Sequence, residues 1–226
     1  MRPAGRPAAV RAVLFDLDGT LLDTAPDMVG ALNSLRASEN LPPIEFATAR
    51  AQVSHGSNGL MRVGFPDAGG EEFERLRDRF LALYRERLTA ETGLFPGGAE
   101  MLAHLEAAAL PWGVVTNKPG WLAEPLLAEL GLDRRMACLV SGDTLPVRKP
   151  HPQPLLHAAG AIGVAPSSCV YVGDALRDVE AARAAGMRAV VASFGYVSAQ
   201  DEHHLWPAEA WLSGPRDLID WLEARA

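Results

Sequence analysis

The sequence predicts an α/β protein: a doubly wound parallel sheet of strand order 3-2-1-4-5, interrupted after its first strand by a helical insertion. Three observations predict it. Ala12-Val13-Leu14-Phe15 is a continuous apolar run that passes directly into Asp16 and Asp18, the pattern of a strand buried on both faces. From residue 98 onward, short apolar runs alternate with stretches of helical periodicity, as strands joined by crossover helices do. Residues 24–90 carry several helical segments and no clear strand. The expected domains are a Rossmann-like core over 1–23 and 91–226, and a small helical domain over 24–90.

The first strand ends in two carboxylates two residues apart, so both should project over one crevice at its C-terminal end. Gly19 then permits a sharp turn or a close approach. Taken alone, Asp-x-Asp-Gly reads equally well as a strand running into a turn. After Thr24, Pro26 and Asp27 suit the first turn of a helix, and MVGALNSLRASEN continues it until Asn40-Leu41-Pro42-Pro43 breaks the pattern. Phe46 to Val53 leads into His55-Gly56-Ser57-Asn58-Gly59, a small-residue loop that suits either close approach to a substrate or a plain interhelical turn. Glu71 to Thr89 is a long amphipathic helix; its arginines at 75, 77, 79, 85 and 87, interleaved with Glu74, Asp78 and Glu86, read as a charged outer face.

Leu94-Phe95-Pro96-Gly97-Gly98 returns the chain to the core. Helices over 98–109, 119–130, 152–162 and 176–185 lead to strands over 112–116, 137–141, 169–173 and 188–192, with Gly131, Gly163 and Gly186 as helix ends. A last helix, 215–224, follows a tail whose course the pattern leaves open. In a sheet of order 3-2-1-4-5 the topological switch point lies between the first and fourth strands, where a ligand is expected. Asp16 ends the first strand, and the fourth runs into Gly173-Asp174.

Bulk properties narrow the function. With 226 residues and 48% hydrophobic residues the chain has material for a full core. No apolar run approaches the ~20 residues of a membrane helix. MRPAGRPAAVRA lacks an apolar segment and reads as a loose leader, not a signal peptide. A net charge of −7 argues against nucleic acid and anionic membrane as partners. Cys138 and Cys169 fall in apolar runs, which suits buried free thiols and a cytoplasmic setting. Of 21 basic residues only Lys118 and Lys149 are lysine. A compact ammonium and a planar guanidinium are not interchangeable at a crowded anion site, so both lysines stand out as candidates for function.

Further polar constellations fall at the same strand ends. Thr116-Asn117-Lys118-Pro119 follows the second strand and precedes a helix, which suits phosphate; Thr-Asn alone reads rather as an ordinary polar turn or cap, and gains weight by falling at the same edge as Asp16. Three prolines stiffen the loop around Lys149, where an ammonium can neutralise a carboxylate and hold a phosphoryl oxygen. Asp174 ends the fourth strand and Asp178 lies in the first turn of the next helix. Four acids gathered at one rim (Asp16, Asp18, Asp174, Asp178) would repel one another without a cation, and Mg²⁺ held by one or two carboxylates plus a phosphate is the usual solution. Arg50 and Arg62 suit a substrate carboxylate or solvent, and the histidines at 104, 151, 157, 203 and 204 receive no role.

VLFDLDGTLLDT (Val13–Thr24), Thr116/Asn117, Lys149 and Asp174/Asp178 resemble, in order, motifs one to four of the haloacid-dehalogenase-like phosphohydrolases. The resemblance implies that Asp16 is a nucleophile forming an aspartyl-phosphate and ligating Mg²⁺, with Asp174 as a second metal ligand. It implies that Asp18 is the general acid/base and adds a backbone carbonyl to the metal. Thr116 and Asn117 would hold the phosphoryl group, Lys149 would secure it against Asp16, and Asp178 would orient metal-bound water or Lys149. Residues 24–90 resemble the family's C1-type cap, with His55, Gly56, Ser57 and Asn58 as its substrate-reading element.

Asp18 speaks against dehalogenase chemistry, and the absence of lysine from 24–90 speaks against a Schiff-base phosphonate hydrolase. A phosphosugar mutase shares the motifs. The chain resembles phosphoglycolate phosphatases over nearly its whole length. Trp112–Leu132, Phe194–Tyr196, Asp201 and Trp206 resemble N-acetylmuramic acid 6-phosphate phosphatases of peptidoglycan recycling. The expected partner is a small phosphate ester; oligomeric state is not legible.

Overall fold

The computed structural model describes residues 9–225, so the first eight residues of the expected leader lie outside the described part. Strand β1 (Ala12–Phe15) is followed by β2 (Leu22–Asp23), then by helices α1 (Ala25–Ser38), α2 (Phe46–Arg50), α3 (Gly56–Gly64) and α4 (Gly70–Arg85). β3 (Gly93–Leu94) brings the chain back, and then come α5 (Gly98–Ala107), β4 (Trp112–Val115), α6 (Gly120–Glu129), β5 (Cys138–Val140) and α7 (Gln153–Ile162). β6 (Cys169–Gly173), α8 (Leu176–Ala184), β7 (Arg188–Ala192), β8 (Ala210–Leu212) and α9 (Asp217–Glu223) complete it.

The main sheet is parallel, in the order β5-β4-β1-β6-β7-β8. Its first five positions reproduce the expected 3-2-1-4-5. β8 is a sixth strand laid outside β7, with Val191 opposite Trp211, in the stretch whose course the sequence left open. β1 is flanked by β4 and β6, with Phe15 opposite Val114 and Val172, so the crevice beyond β1 and β6 is the switch point.

Successive side chains of a strand face opposite ways, and β1 divides accordingly. Val13 and Phe15 join one apolar cluster with Trp112, Leu102 and the helical segment; Ala12 and Leu14 join the other with Leu155, Tyr171 and Val179. Both faces are covered, which accounts for the uninterrupted apolar run.

Two short strands pair antiparallel at the base of the helical segment, Leu22 opposite Leu94 and Asp23 opposite Gly93. Beside them Asp27, wholly buried in the first turn of α1, accepts hydrogen bonds from the Glu91 N–H (2.9 Å), the Thr92 N–H (2.8 Å) and the Thr92 hydroxyl (2.8 Å), and Arg87 Nε lies at 3.2 Å. That single carboxylate ties the outgoing chain to the returning one. α4 packs on α1 through Leu76, Phe80 and Tyr84, spaced four apart on one helical stripe. The helix ends at Arg85, short of the expected Thr89. Among the described residues no helix is long and apolar enough to cross a membrane.

Candidate active site

Asp16 continues the β1 ladder, its N–H donating to Val172 O at 2.9 Å, and its buried side chain rises over the C-terminal rim. Oδ1 accepts the Leu17 N–H at 2.7 Å and meets the Lys149 ammonium at 2.9 Å. Lys149 is fully buried. It also contacts Asp178 Oδ1 at 2.8 Å and donates to the Tyr171 hydroxyl at 2.7 Å, which donates onward to Val115 O. Asn117 clamps the Lys149 backbone from both ends of its amide: Nδ2 donates to Lys149 O at 3.0 Å, and Oδ1 accepts the Lys149 N–H at 3.1 Å. The Asn117 side chain is thus occupied in fixing Lys149, while Thr116 Oγ1 accepts the Lys118 N–H at 3.1 Å.

Gly19 turns the chain after Asp18 with φ +81°; a Cβ there would come within 2.2 Å of Asp174 Oδ2 and 2.7 Å of the Tyr196 ring. Glycine is therefore required both by its backbone conformation and by the closeness of the two acidic segments.

Asp16, Asp174 and Asp178 bring carboxylate oxygens within 4.8 Å of one another. The four-acid cluster expected from the sequence resolves into three plus one. The Asp18 carboxylate turns away because Oδ1 is held by the Thr24 hydroxyl at 2.7 Å and the Lys118 ammonium at 2.8 Å. Lys118 in turn reaches the hydroxyl of Tyr84, on α4, at 2.9 Å. The chain's two lysines thus sit one on each acid of the first motif, both buried.

Electrostatics follow from this packing. Burial, then the charges of Asp16 and Asp178, push the Asp174 carboxyl up to about 7. Burial also raises Asp178, against the pull of Lys149. Burial alone would lower Lys118, but Asp18 and Tyr84 outweigh it and hold the ammonium above its ordinary value. Tyr84 is pushed up to about 12, chiefly by burial. Asp174 Oδ2 accepts the Ser54 hydroxyl at 2.6 Å and the Tyr196 N–H at 3.0 Å, whereas Oδ1, also buried, has no hydrogen-bond partner among the described residues. A buried, unpaired carboxylate oxygen beside two further carboxylates fits a hard divalent cation. The donors are all oxygen, which suits Mg²⁺ and not zinc.

A cavity of about 390 Å³ opens over these groups, lined by Asp16, Asp18, Thr116 and Lys118 from the core and by His55–Asn58, Leu81 and Tyr84 from the helical segment. The loop expected at 55–58 is a helix start instead, with Gly56, Ser57 and Asn58 in the first turn of α3, and with His55 they stand across the cavity from Asp16 and Asp18. Arg50 does not enter the cavity: its guanidinium lies over the Tyr196 ring at 4.8 Å and donates to Phe194 O at 3.4 Å. Arg62 is exposed, in a separate depression beside Phe73. Sequence reasoning passed over Ser54, Tyr84, Tyr171 and Arg177, whose guanidinium lies 4.0 Å from Asp16 Oδ2. Ser54 adjoins the His55–Asn58 segment and Arg177 lies between Asp174 and Asp178, so both had a signal nearby; Tyr84 and Tyr171 had none.

A family model described as haloacid dehalogenase-like hydrolase matches residues 10–186. The chain belongs to the haloacid dehalogenase-like hydrolases. A phosphoglycolate phosphatase of Xanthomonas campestris pv. campestris (strain 8004) is 48% identical over 208 residues, 92% of this chain and 94% of the relative. An N-acetylmuramic acid 6-phosphate phosphatase of Pseudomonas aeruginosa is 40% identical over 215 residues, 95% of each chain. Among solved structures, a predicted phosphoglycolate phosphatase from Haemophilus somnus 129PT aligns with a TM-score of 0.84 and 28% identity over 94% of this chain and 97% of the other. This haloacid dehalogenase-like hydrolase is a phosphatase, an enzyme that cleaves phosphoric monoesters.

Proposed function

We propose that this phosphatase cleaves N-acetylmuramic acid 6-phosphate in a Mg²⁺-dependent reaction through an aspartyl-phosphate on Asp16. The observation that carries the chemistry is the convergence of Asp16 and Asp174 at one rim, with an unpaired Asp174 oxygen and Lys149 wedged against Asp16. Asp16 and Asp174 would hold Mg²⁺ with the backbone carbonyl of Asp18, and the ion would supply positive charge against the phosphoryl oxygens. An Asp16 oxygen attacks phosphorus, and the ester oxygen leaves with a proton from Asp18. Asp18 then takes a proton from the water that cleaves the acyl-phosphate. Once Asp16 is phosphorylated its carboxyl is neutral, the phosphoryl group keeps its own two charges and Asp18 is left ionised, so the Lys149 ammonium beside Asp16 then faces the phosphoryl oxygens. Thr116 and the backbone at Asn117 border the phosphoryl position, and Asp178 holds Lys149 in line. In this reading residues 24–90 are a cap whose closure excludes bulk water during the first step.

The cavity supports the larger substrate. A two-carbon acid leaves most of about 390 Å³ unfilled, whereas an N-acetylated, lactylated hexose meets apolar walls at Met28, Val53, Leu81 and Leu122 and cations at Arg148 and Arg177. A second reading, phosphoglycolate phosphatase, is favoured by the 48% identity to the Xanthomonas protein of that name. Phosphate release from both esters, with and without Mg²⁺, tests the choice. The expected kcat/KM for N-acetylmuramic acid 6-phosphate exceeds that for 2-phosphoglycolate by at least about tenfold. The opposite order selects the second reading. Transfer between positions of a phosphosugar, without free phosphate, identifies a mutase and overturns both.

A further inference from the structure

The proposed reaction assigns Lys149 to Asp16 and leaves Lys118 without a task. Lys118 is the other lysine of the chain, buried, and 2.8 Å from Asp18. The contact joins three parts of the fold: Asp18 follows β1, Lys118 follows β4, and Tyr84 comes from α4 of the helical segment. The ammonium lies 4.6 Å from the Tyr84 ring centroid as well as 2.9 Å from its hydroxyl, so the tyrosine covers it. Thr24 and Lys118 donate to the same oxygen, Asp18 Oδ1; Oδ2 takes neither bond, and Asp18 lines the cavity.

We propose that Lys118 is a positioning residue for the leaving-group step, and that Tyr84 makes this positioning depend on cap closure. Two donors on Oδ1 fix the rotation of the carboxyl and leave Oδ2 as the oxygen that meets the departing ester oxygen. With Tyr84 withdrawn, the long lysine side chain loses one of its two polar contacts and its cover, and water can compete for the ammonium. Closure would therefore do more than exclude solvent: it would complete the support of the proton donor only when the substrate is enclosed. This rests on Asp18 being the general acid, and the experiment separates the two claims.

The assay is kcat/KM for a series of phosphate monoesters, from p-nitrophenyl phosphate, whose leaving group departs as a stable anion, to an alkyl phosphate that needs a proton. General acid catalysis by a well-placed group contributes about 10²–10⁴-fold for a poor leaving group, so misplacing it should raise the p-nitrophenyl-to-alkyl ratio by about tenfold or more in Lys118→Met. Tyr84→Phe, which keeps the ring and removes the hydroxyl, should raise the ratio severalfold in a protein whose fold is preserved. Asp18→Asn is the control and should raise it furthest. A rise in Asp18→Asn with an unchanged ratio in both Lys118→Met and Tyr84→Phe overturns the positioning role while leaving Asp18 as the acid. An unchanged ratio in Asp18→Asn overturns the acid assignment itself, and the positioning role with it.

Discussion

Replacing Lys149 by methionine should cost both stability and turnover, and the two losses should be separable. The ammonium is wholly buried and makes contacts of 2.9, 2.8 and 2.7 Å with Asp16, Asp178 and Tyr171. Methionine approximates the length of the lysine side chain but leaves two buried carboxylates facing each other without a cation. Breaking a buried ion pair from one side costs about 3–5 kcal/mol. Asp178→Asn in the same background removes one of those charges while its amide oxygen can still accept the Ala175 N–H seen at 3.0 Å. The double variant should therefore recover about 1–3 kcal/mol of the loss. It should recover no phosphatase activity, because nothing then stands against Asp16 to receive the phosphoryl charge. Urea denaturation at fixed pH in the presence of a chelator measures the first quantity, and phosphate release with Mg²⁺ the second. A single variant destabilised by less than about 1 kcal/mol, or a double variant that regains turnover, would refute this account of Lys149.

Two further outcomes follow from the same packing. Asp27→Ala leaves the N–H groups of Glu91 and Thr92 and the Thr92 hydroxyl without their acceptor, and should lower stability by about 2–4 kcal/mol in a denaturant titration. In metal-free protein Asp174 titrates near 7, above the ordinary 3.8, so its contribution to stability is fully present below about pH 4 and is lost as pH rises through 7. Chelated wild-type protein should lose stability over that window relative to Asp174→Asn, by up to a few kcal/mol, as read from unfolding midpoints of the two proteins at pH 5 and pH 8. Equal midpoint differences at both pH values would contradict it.

Much of the core was legible because its strands are buried on both faces and therefore read as unbroken apolar runs. The same physics hid β8: three residues, Ala-Trp-Leu, with Trp211 partly exposed, carry no pattern that distinguishes a strand from a tail. At the site, carboxylates at strand ends announce themselves by type and position, and the scarcity of lysine singled out Lys118. Tyr84 and Tyr171 could not be recognised in this way. A tyrosine in the apolar stripe of a helix, or inside a buried strand, presents the same sequence whether its hydroxyl reaches a buried lysine or only a backbone carbonyl. The Asp18 side chain was placed with the other acids because alternation along a strand fixes the side of the sheet. It does not fix the rotamer, which the Thr24 hydroxyl and Lys118 decide.

The burial of both ε-amino groups has a practical consequence. Amine-selective reagents, acylating probes and cross-linkers alike, find no lysine on the outside of this molecule. Lys149 lies under the sheet rim, whereas Lys118 is shielded by a ring on the segment expected to move. If residues 24–90 act as the proposed cap, slow acylation at residue 118, slowed further by a bound inhibitor, would time its opening without any label being engineered into the chain.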